Sequence, residues 1–403
     1  MKINYLSLFV IALVSVGLLP IISSASYESG RKIIVYTESV SVAEREALSE
    51  TLRSNRIKRL RGVFQADVVE NLTSAELRTL ERDIRVKRID DDVIVYALDL
   101  PSQLERYTRR RPILPSAPVQ SQILPWGIDR VDAELVWPEG NTGNPIKVGV
   151  IDTGINLYHP DLKENIKGQY NAIRTRKSAE DDNGHGSHVA GTIAALQNNI
   201  GVVGVGPDID LYAIKVLNSR GSGYLSDIIE GIDFAINSNL DVINMSLGTG
   251  SNVQSFHDAV IRAYDAGIVV VAAAGNSGGA VLYPAAYSEA IAVSATDSNN
   301  NIASFSSRGP EIDIAAPGVS IYSTYKRKGY KTLSGTSMAA PHVAGAAALV
   351  LETAPGAYDT NGNSKWDPEE VKNKLQDTAT DLGASGFDNL FGWGLVNAYA
   401  ATQ

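Results

Sequence analysis

Three side chains in this sequence carry the chemistry of nucleophilic catalysis, and each stands where a fold could present it. Ser337 lies in Gly335-Thr336-Ser337-Met338-Ala339, directly before a small-residue helical run. Its hydroxyl is expected at a helix start, where caps and negative charge are both favoured. Asp152 ends the apolar run Val148-Gly149-Val150-Ile151. Ends of buried parallel strands are where open α/β sheets place ligands, and a carboxylate there can accept the Nδ1 proton of a histidine. His185 stands between Gly184 and Gly186 at a helix start, with one ring nitrogen for the carboxylate and the other for the serine. Alone, Ser337 reads as a helix cap and His185 as a histidine at a helix start. Together they supply a nucleophile, a base and a group that orients the base.

The elements that must position them follow from hydrophobic periodicity. Strands are expected at 148–151, 211–216, 242–245, 268–273 and 291–294, and helices at 188–197, 226–237, 253–266 and 338–351. Continuous β-branched runs separated by helices indicate a three-layer α/β fold, a parallel sheet with helices on both faces. Upstream, 33–37, 57–64, 67–70 and 93–97 read as strands and 42–53 and 74–82 as helices. That order, strand-helix-strand-strand-helix-strand, is the ferredoxin-like α+β arrangement.

The 403 residues suffice for two or three domains, and the absence of cysteine excludes disulfides, thiol catalysis and thiolate metal sites. The net charge of -9 is uneven: residues 26–121 carry 17 Lys and Arg against 15 Asp and Glu, and residues 122–403 carry 18 against 30. An acidic C-terminal portion argues against nucleic acid as a partner and suits cation binding. Lys2, an apolar run from Leu6 to Leu19 and Ser23-Ser24-Ala25 read as a secretory signal over 1–25, with an uncleaved anchor as the alternative. The run before Pro20 is shorter than the ~20 residues a bilayer needs, so no stable membrane anchor is expected.

Three blocks carry a family resemblance: Lys147-Val148-Gly149-Val150-Ile151-Asp152-Thr153-Gly154-Ile155, Asp182-Asn183-Gly184-His185-Gly186-Ser187-His188-Val189-Ala190-Gly191-Thr192, and Gly335-Thr336-Ser337-Met338-Ala339-Ala340-Pro341-His342-Val343-Ala344-Gly345. They resemble the signature blocks of the subtilisin-like serine proteases, in that family's Asp, His, Ser order. The resemblance implies Asp152, His185 and Ser337 as the triad and selects His185 from the five histidines. It implies that Asn276, in Ala272-Ala273-Ala274-Gly275-Asn276-Ser277-Gly278, donates its amide to the oxyanion beside the Ser337 N–H.

The resemblance also implies an extended substrate strand pairing with Ser222-Gly223-Tyr224 and Ser246-Leu247-Gly248. A pocket for the residue before the cut would be walled by Ser246, Leu247, Gly248, Ala273, Ala274 and Gly275. Leu282 at its floor, where a smaller residue is common, predicts a shallow pocket for small or medium apolar residues. Residues 26–98 look like the family's inhibitory propeptide, an intramolecular inhibitor whose tail Asp90 to Leu98 lies in the site until cut after Leu98. Residues 99–121 form a Pro- and Arg-rich linker, with Arg109-Arg110-Arg111 as an alternative cleavage region, and 122–403 the peptidase domain.

Two stretches are expected to bind Ca2+ through oxygen. One resembles the family's strong site: side chains of Gln122, Asp161 and Asn198 with main-chain oxygens of Leu196, Ile200 and Val202. The other places Asp359, Asn361, Asn363, Lys365, Asp367 and Glu370 at EF-hand spacing, with Ser364 where that loop has Gly. The reading is a secreted, extracellular, monomeric, calcium-stabilised serine endopeptidase made as a self-processing zymogen and acting on polypeptides. A catalytically silent domain of the same fold, used for binding, is the alternative. An esterase elbow is excluded because Gly335-Thr336-Ser337-Met338-Ala339 lacks its final Gly, and no dinucleotide fingerprint follows Val148.

Overall fold

A computed structural model of the chain describes residues 30–52, 55–60, 65–98 and 121–403. The expected signal segment, most of the linker and the Arg109-Arg110-Arg111 site lie outside the described residues.

The N-terminal subdomain is an antiparallel sheet of β1 (Arg31–Tyr36), β2 (Arg56–Leu60), β3 (Ala66–Glu70) and β4 (Val86–Asp91) in the order β2-β3-β1-β4. Helices α1 (Val42–Thr51) and α2 (Ser74–Leu80) cross one face. Each starts with a reciprocal capping box, Ser41 with Glu44 and Thr73 with Glu76. Strand alternation divides β1 between two cores. Ile34 and Tyr36 pack with Leu48, Leu52, Val69 and Leu80 under the helices, whereas Ile33 and Val35 join an apolar cluster continuous with the C-terminal domain.

The fourth strand of this subdomain is β4, not the expected 93–97. Charges interrupt its apolar residues Val86 and Ile89, which hid it from a periodicity search. The apolar run that was read as that strand forms β5 (Ile94–Ala97), which leaves the subdomain and pairs with the larger domain instead.

The larger domain is built on seven strands: β6 (Lys147–Asp152), β7 (Ile166–Asn171), β8 (Asp210–Lys215), β10 (Val242–Met245), β12 (Val269–Ala273), β13 (Ala290–Thr296) and β14 (Ile314–Pro317). They form one parallel sheet in the order β14-β13-β12-β10-β6-β8-β7. The two edge strands were not legible: β7 is polar and half-exposed, and β14, Ile-Ala-Ala-Pro, has one β-branched residue. Val269, Val271 and Ala273 point to a core shared with the helices His185–Ala194 and Thr336–Leu351. Val270 and Ala272 point the other way, toward Leu225–Asn237 and Gln254–Asp265. Two short strands, β9 (Ser222–Tyr224) and β11 (Leu247–Gly248), flank β5, and β15 (Ile321–Tyr325) with β16 (Gly329–Leu333) make a hairpin that leads into the Ser337 helix. Among the described residues no helix is long and apolar enough to cross a membrane.

Candidate active site

Strand β6 delivers Asp152 to the C-terminal edge of the sheet, fully buried. Its Oδ1 accepts the Thr153 N–H at 2.6 Å, and His185 Nδ1 lies 2.8 and 2.9 Å from its two oxygens. The His185 helix begins three residues earlier than its periodicity suggested. Gly184, at φ +115°, turns the chain into it. A Cβ on Gly184 would strike the Tyr325 ring. Asp181 fixes this start: its carboxylate accepts the N–H groups of Asn183, Gly184 and Ser187 and the Thr153 and Ser187 hydroxyls. Of the five histidines His185 alone meets Asp152. His159, His188 and His342 bond main-chain carbonyls and His257 bonds Glu289.

Ser337 lies in the first turn of its helix, and its Oγ donates to the Ser246 carbonyl at 3.0 Å while Ser246 Oγ donates to the Ser337 carbonyl at 2.9 Å. The Ser246 carbonyl also accepts the Leu98 N–H. Asn276 presents the two ends of its amide to different partners. Its Nδ2 donates to Leu98 O at 2.6 Å, and its Oδ1 accepts the Thr336 N–H at 2.9 Å and hydroxyl at 3.0 Å. Thr336 Oγ1 in turn accepts the Gly275 N–H. Thr336 was not singled out from sequence because its partners Gly275 and Asn276 lie on a distant segment, and neither was Asp181, although all its bonds but that to Thr153 are local cap bonds within 181–187.

Strand β5 lies between the two expected edges. Ile94, Val95 and Tyr96 pair with Tyr224, Gly223 and Ser222, while Ala97 and Tyr96 pair with Leu247 and Gly248. Val95 is fully buried and Leu98 nearly so, whereas Tyr96 is 53% exposed. Leu98 packs into the cluster that holds Ala273. Its Cδ1 lies 3.1 Å from where a Cβ on Gly248 would stand. Leu282, held by its N–H on the Ala274 carbonyl, fills the space against Gly248 and Gly275.

The six residues of the first expected cation site are brought close together by hydrogen bonds. Gln122 Nε2 donates to the carbonyls of Leu196 and Val202, Asn198 Nδ2 donates to Asp161 Oδ1, and the N–H groups of Val202 and Ile200 reach Asp161 and Asn198. Burial raises the Asp161 pKa. One buried carboxylate amid amides and main-chain oxygens is the donor chemistry of a hard cation, but both amides here present nitrogen to those oxygens, while Gln122 Oε1 accepts the Asn198 N–H and Asn198 Oδ1 the Ile200 N–H, so oxygen donation to an ion would require both amides to flip. The second stretch also closes on itself. Asp359 accepts the Asn363 and Ser364 N–H groups, Asn361 and Asn363 reach Asp367, the Asn363 Oδ1 accepts the Lys365 N–H, and Glu370 accepts from Thr360 and Asp367. Ser364 takes the left-handed conformation, φ +59°, that an EF-hand loop reserves for Gly. Among the described residues no three His, Cys, Asp or Glu cluster as metal ligands.

Residues 143–394 match the model of the subtilase family. The chain is 51% identical to Subtilisin Savinase of Lederbergia lenta over 284 residues, 70% of this chain and all of that protein. It is 51% identical to Subtilisin DY of Bacillus licheniformis over 288 residues, 70% of this chain and all of that protein. A thermostable alkaline protease of Halalkalibacterium halodurans is 46% identical over 333 residues, 82% of each chain.

Proposed function

The chain belongs to the subtilase family and is a serine endopeptidase acting on polypeptides, and from that premise we propose how its residues divide the work. Ser337 is the nucleophile, His185 the base that takes its proton, and Asp152 the carboxylate that fixes the imidazole tautomer and stabilises its charged form. Attack requires the Ser337 hydroxyl to turn its proton from the Ser246 carbonyl to the imidazole. The tetrahedral oxyanion is held by Asn276 Nδ2 and the Ser337 N–H. His185 then protonates the leaving amine, and a water deacylates the enzyme by the same route in reverse. None of these residues is missing, which disfavours the silent-domain alternative.

One observation carries this reading: the Leu98 carbonyl stands 2.6 Å from Asn276 Nδ2 at the end of a strand seated between β9 and β11. That contact supports reading Leu98 as the scissile residue. We therefore assign residues 26–98 as a propeptide that occupies the site and is cut after Leu98, leaving a mature N-terminus at Asp99. Secretion through the 1–25 signal, a monomeric state and calcium bound by Gln122, Asp161, Leu196, Asn198, Ile200 and Val202 complete the proposal. The Asp359 to Glu370 loop would hold a second ion. Calcium would supply fixed positive charge that ties the Gln122 segment to both loops. N-terminal sequencing of secreted protein tests the processing: a start at Asp99 is expected, and a start near Arg111 would move the cut into the linker. A cleavage profile led by Leu-sized apolar residues before the cut is expected, and one led by Phe or Arg would contradict the shallow pocket.

A further inference from the structure

Taking an ammonium out of water costs several kcal/mol unless its donors find oxygens, and among the described residues Lys215 is the one buried lysine or arginine. It ends β8, a strand whose Leu211, Ala213 and Ile214 are fully buried. An apolar side chain of the same length would avoid the penalty, so packing alone does not account for the charge. Its three contacts do. Nζ donates to the Thr153 carbonyl at 2.6 Å, to Asp182 Oδ1 at 2.7 Å and to the Leu217 carbonyl at 3.0 Å, one oxygen for each ammonium proton.

Two of those oxygens belong to the two segments that carry the acid–base pair. Thr153 follows Asp152, and Asp182 precedes His185 by three residues. Asp152 and Lys215 are themselves opposite one another in the pairing of β6 with β8, where neighbouring strands lie about 4.8 Å apart. Both peptide carbonyls flanking Thr153 are gripped from the end of β8. The Val216 and Leu217 N–H groups donate to the Asp152 carbonyl at 2.9 and 3.0 Å, and Lys215 Nζ takes the Thr153 carbonyl. The Thr153 N–H donates to Asp152 Oδ1 at 2.6 Å, the oxygen 2.8 Å from His185 Nδ1. Two hydrogen bonds and the backbone of Thr153 thus join the ammonium to the carboxylate. On the other segment Asn183, next to Asp182, accepts the His185 N–H on its Oδ1 at 3.0 Å, and Thr153 Oγ1 accepts the Gly186 N–H at 2.9 Å.

We propose that Lys215 is a positioning residue for the Asp152–His185 pair, its ammonium bracing the strand end that carries the carboxylate against the loop that starts the histidine helix. The inference rests on the protease reading, and its test has one arm that needs no turnover. Lys215→Met, Asp182→Ala and Asp182→Asn, each expressed as the full chain, are compared with wild type on a peptide anilide, with active sites counted by a fluorophosphonate. Lys215→Met is expected to lose about 10- to 100-fold in kcat per titrated site with KM within about twofold, as a slightly misplaced base costs. The Asp182 side chain is 56% exposed, so its replacement leaves the core intact. Asp182→Ala is expected to lose about threefold in kcat, and Asp182→Asn, whose amide oxygen still accepts from Nζ, to recover it. In the second arm, on full-length Ser337→Ala protein, the ring N–H proton that His185 gives Asp152 is read by NMR and identified by its loss in His185→Gln. Its resonance is expected to persist with Asp182→Asn and to broaden through faster solvent exchange with Lys215→Met. Wild-type kcat in Lys215→Met, or a loss confined to KM or to the fraction of titratable sites, overturns the proposal, and so does an unmoved resonance. If Lys215→Met does not accumulate, equal kcat in Asp182→Ala and Asp182→Asn overturns it. A wild type that cleaves no anilide, while Lys215→Met still broadens the resonance, removes the protease reading and leaves the brace.

Discussion

The side chain of Asn276 shows how one residue is made to point. Thr336 accepts the Gly275 N–H and donates to the Asn276 oxygen, so only the amide nitrogen is left to face the substrate carbonyl. Loss of the corresponding donor in subtilisin itself costs about 10²–10³ in turnover. Asn276→Ala is expected to lose that much kcat with KM little changed, measured on a peptide anilide. Thr336→Val keeps the donor but frees its orientation, and about a tenfold loss in kcat with an unchanged KM is expected. A fall confined to KM in either variant would contradict an oxyanion role. The triad blocks were legible because their residue types and chain order are specific. Thr336 and Lys215 were not, since their decisive partners lie on other segments: Lys215, the buried last residue of β8, ties the Thr153 carbonyl to Asp182.

At the scale of elements, the N-terminal subdomain is held by its acids as much as by its tail. Asp92 caps the helix Leu225–Asn237, accepting the Ser226 N–H at 2.8 Å and hydroxyl at 2.9 Å, and pairs with Arg31. Asp90 accepts the Ser255 N–H at the start of Gln254–Asp265, and Lys58 and Arg88 reach Asp227, Glu230 and Asp258. Removing this buried acceptor strands both Ser226 donors and takes the carboxylate from Arg31, which costs about 1.5–3 kcal/mol for bonds to a charge. Asp92→Ala in a separately added propeptide is therefore expected to weaken inhibition of the mature enzyme by about 10- to 100-fold. Unchanged inhibition would leave β5 as the whole of the inhibitor. This docking also explains the misread strand. Asp90, Asp91 and Asp92 read in sequence as the start of the tail that enters the site, yet two of the three cap helices of the other domain, so β4 ends in charge and the apolar run after it belongs to the cleft.

The whole molecule should respond to pH and to calcium in opposite experimental directions. His188 and His342 are fully buried, and burial lowers them to about 3 and about 4. Unfolded histidines bind protons below about 6.5, folded ones only near 3–4, so stability is full above about pH 6.5 and is lost as pH falls toward those lower values. Carboxylates raised by burial, Asp92, Asp227 and Asp313 among them, act in the opposite sense, adding stability as pH falls toward the ordinary carboxylate range. The Tm of the Ser337→Ala protein should therefore fall between pH 6.5 and 5.5, and a flat or rising Tm there would contradict neutral buried histidines. If calcium sits on Asp161, a chelator should lower Tm by about 5–10 °C, as a ligand at about 100 times its Kd gives, and should lower it by clearly less in Asp161→Ala, where only the Asp359 to Glu370 loop is left to hold an ion. A chelator without effect on either protein would contradict calcium stabilisation.

The most direct test of the catalytic account is the intact mass of the secreted protein, wild type and Ser337→Ala, each with and without a fluorophosphonate probe. Wild type is predicted to have lost residues through Leu98 and to gain one adduct, while Ser337→Ala keeps its propeptide and takes up no probe. A Ser337→Ala protein that is still cut after Leu98 without added protease, or a wild type that stays full length and unlabelled with calcium supplied, would contradict it.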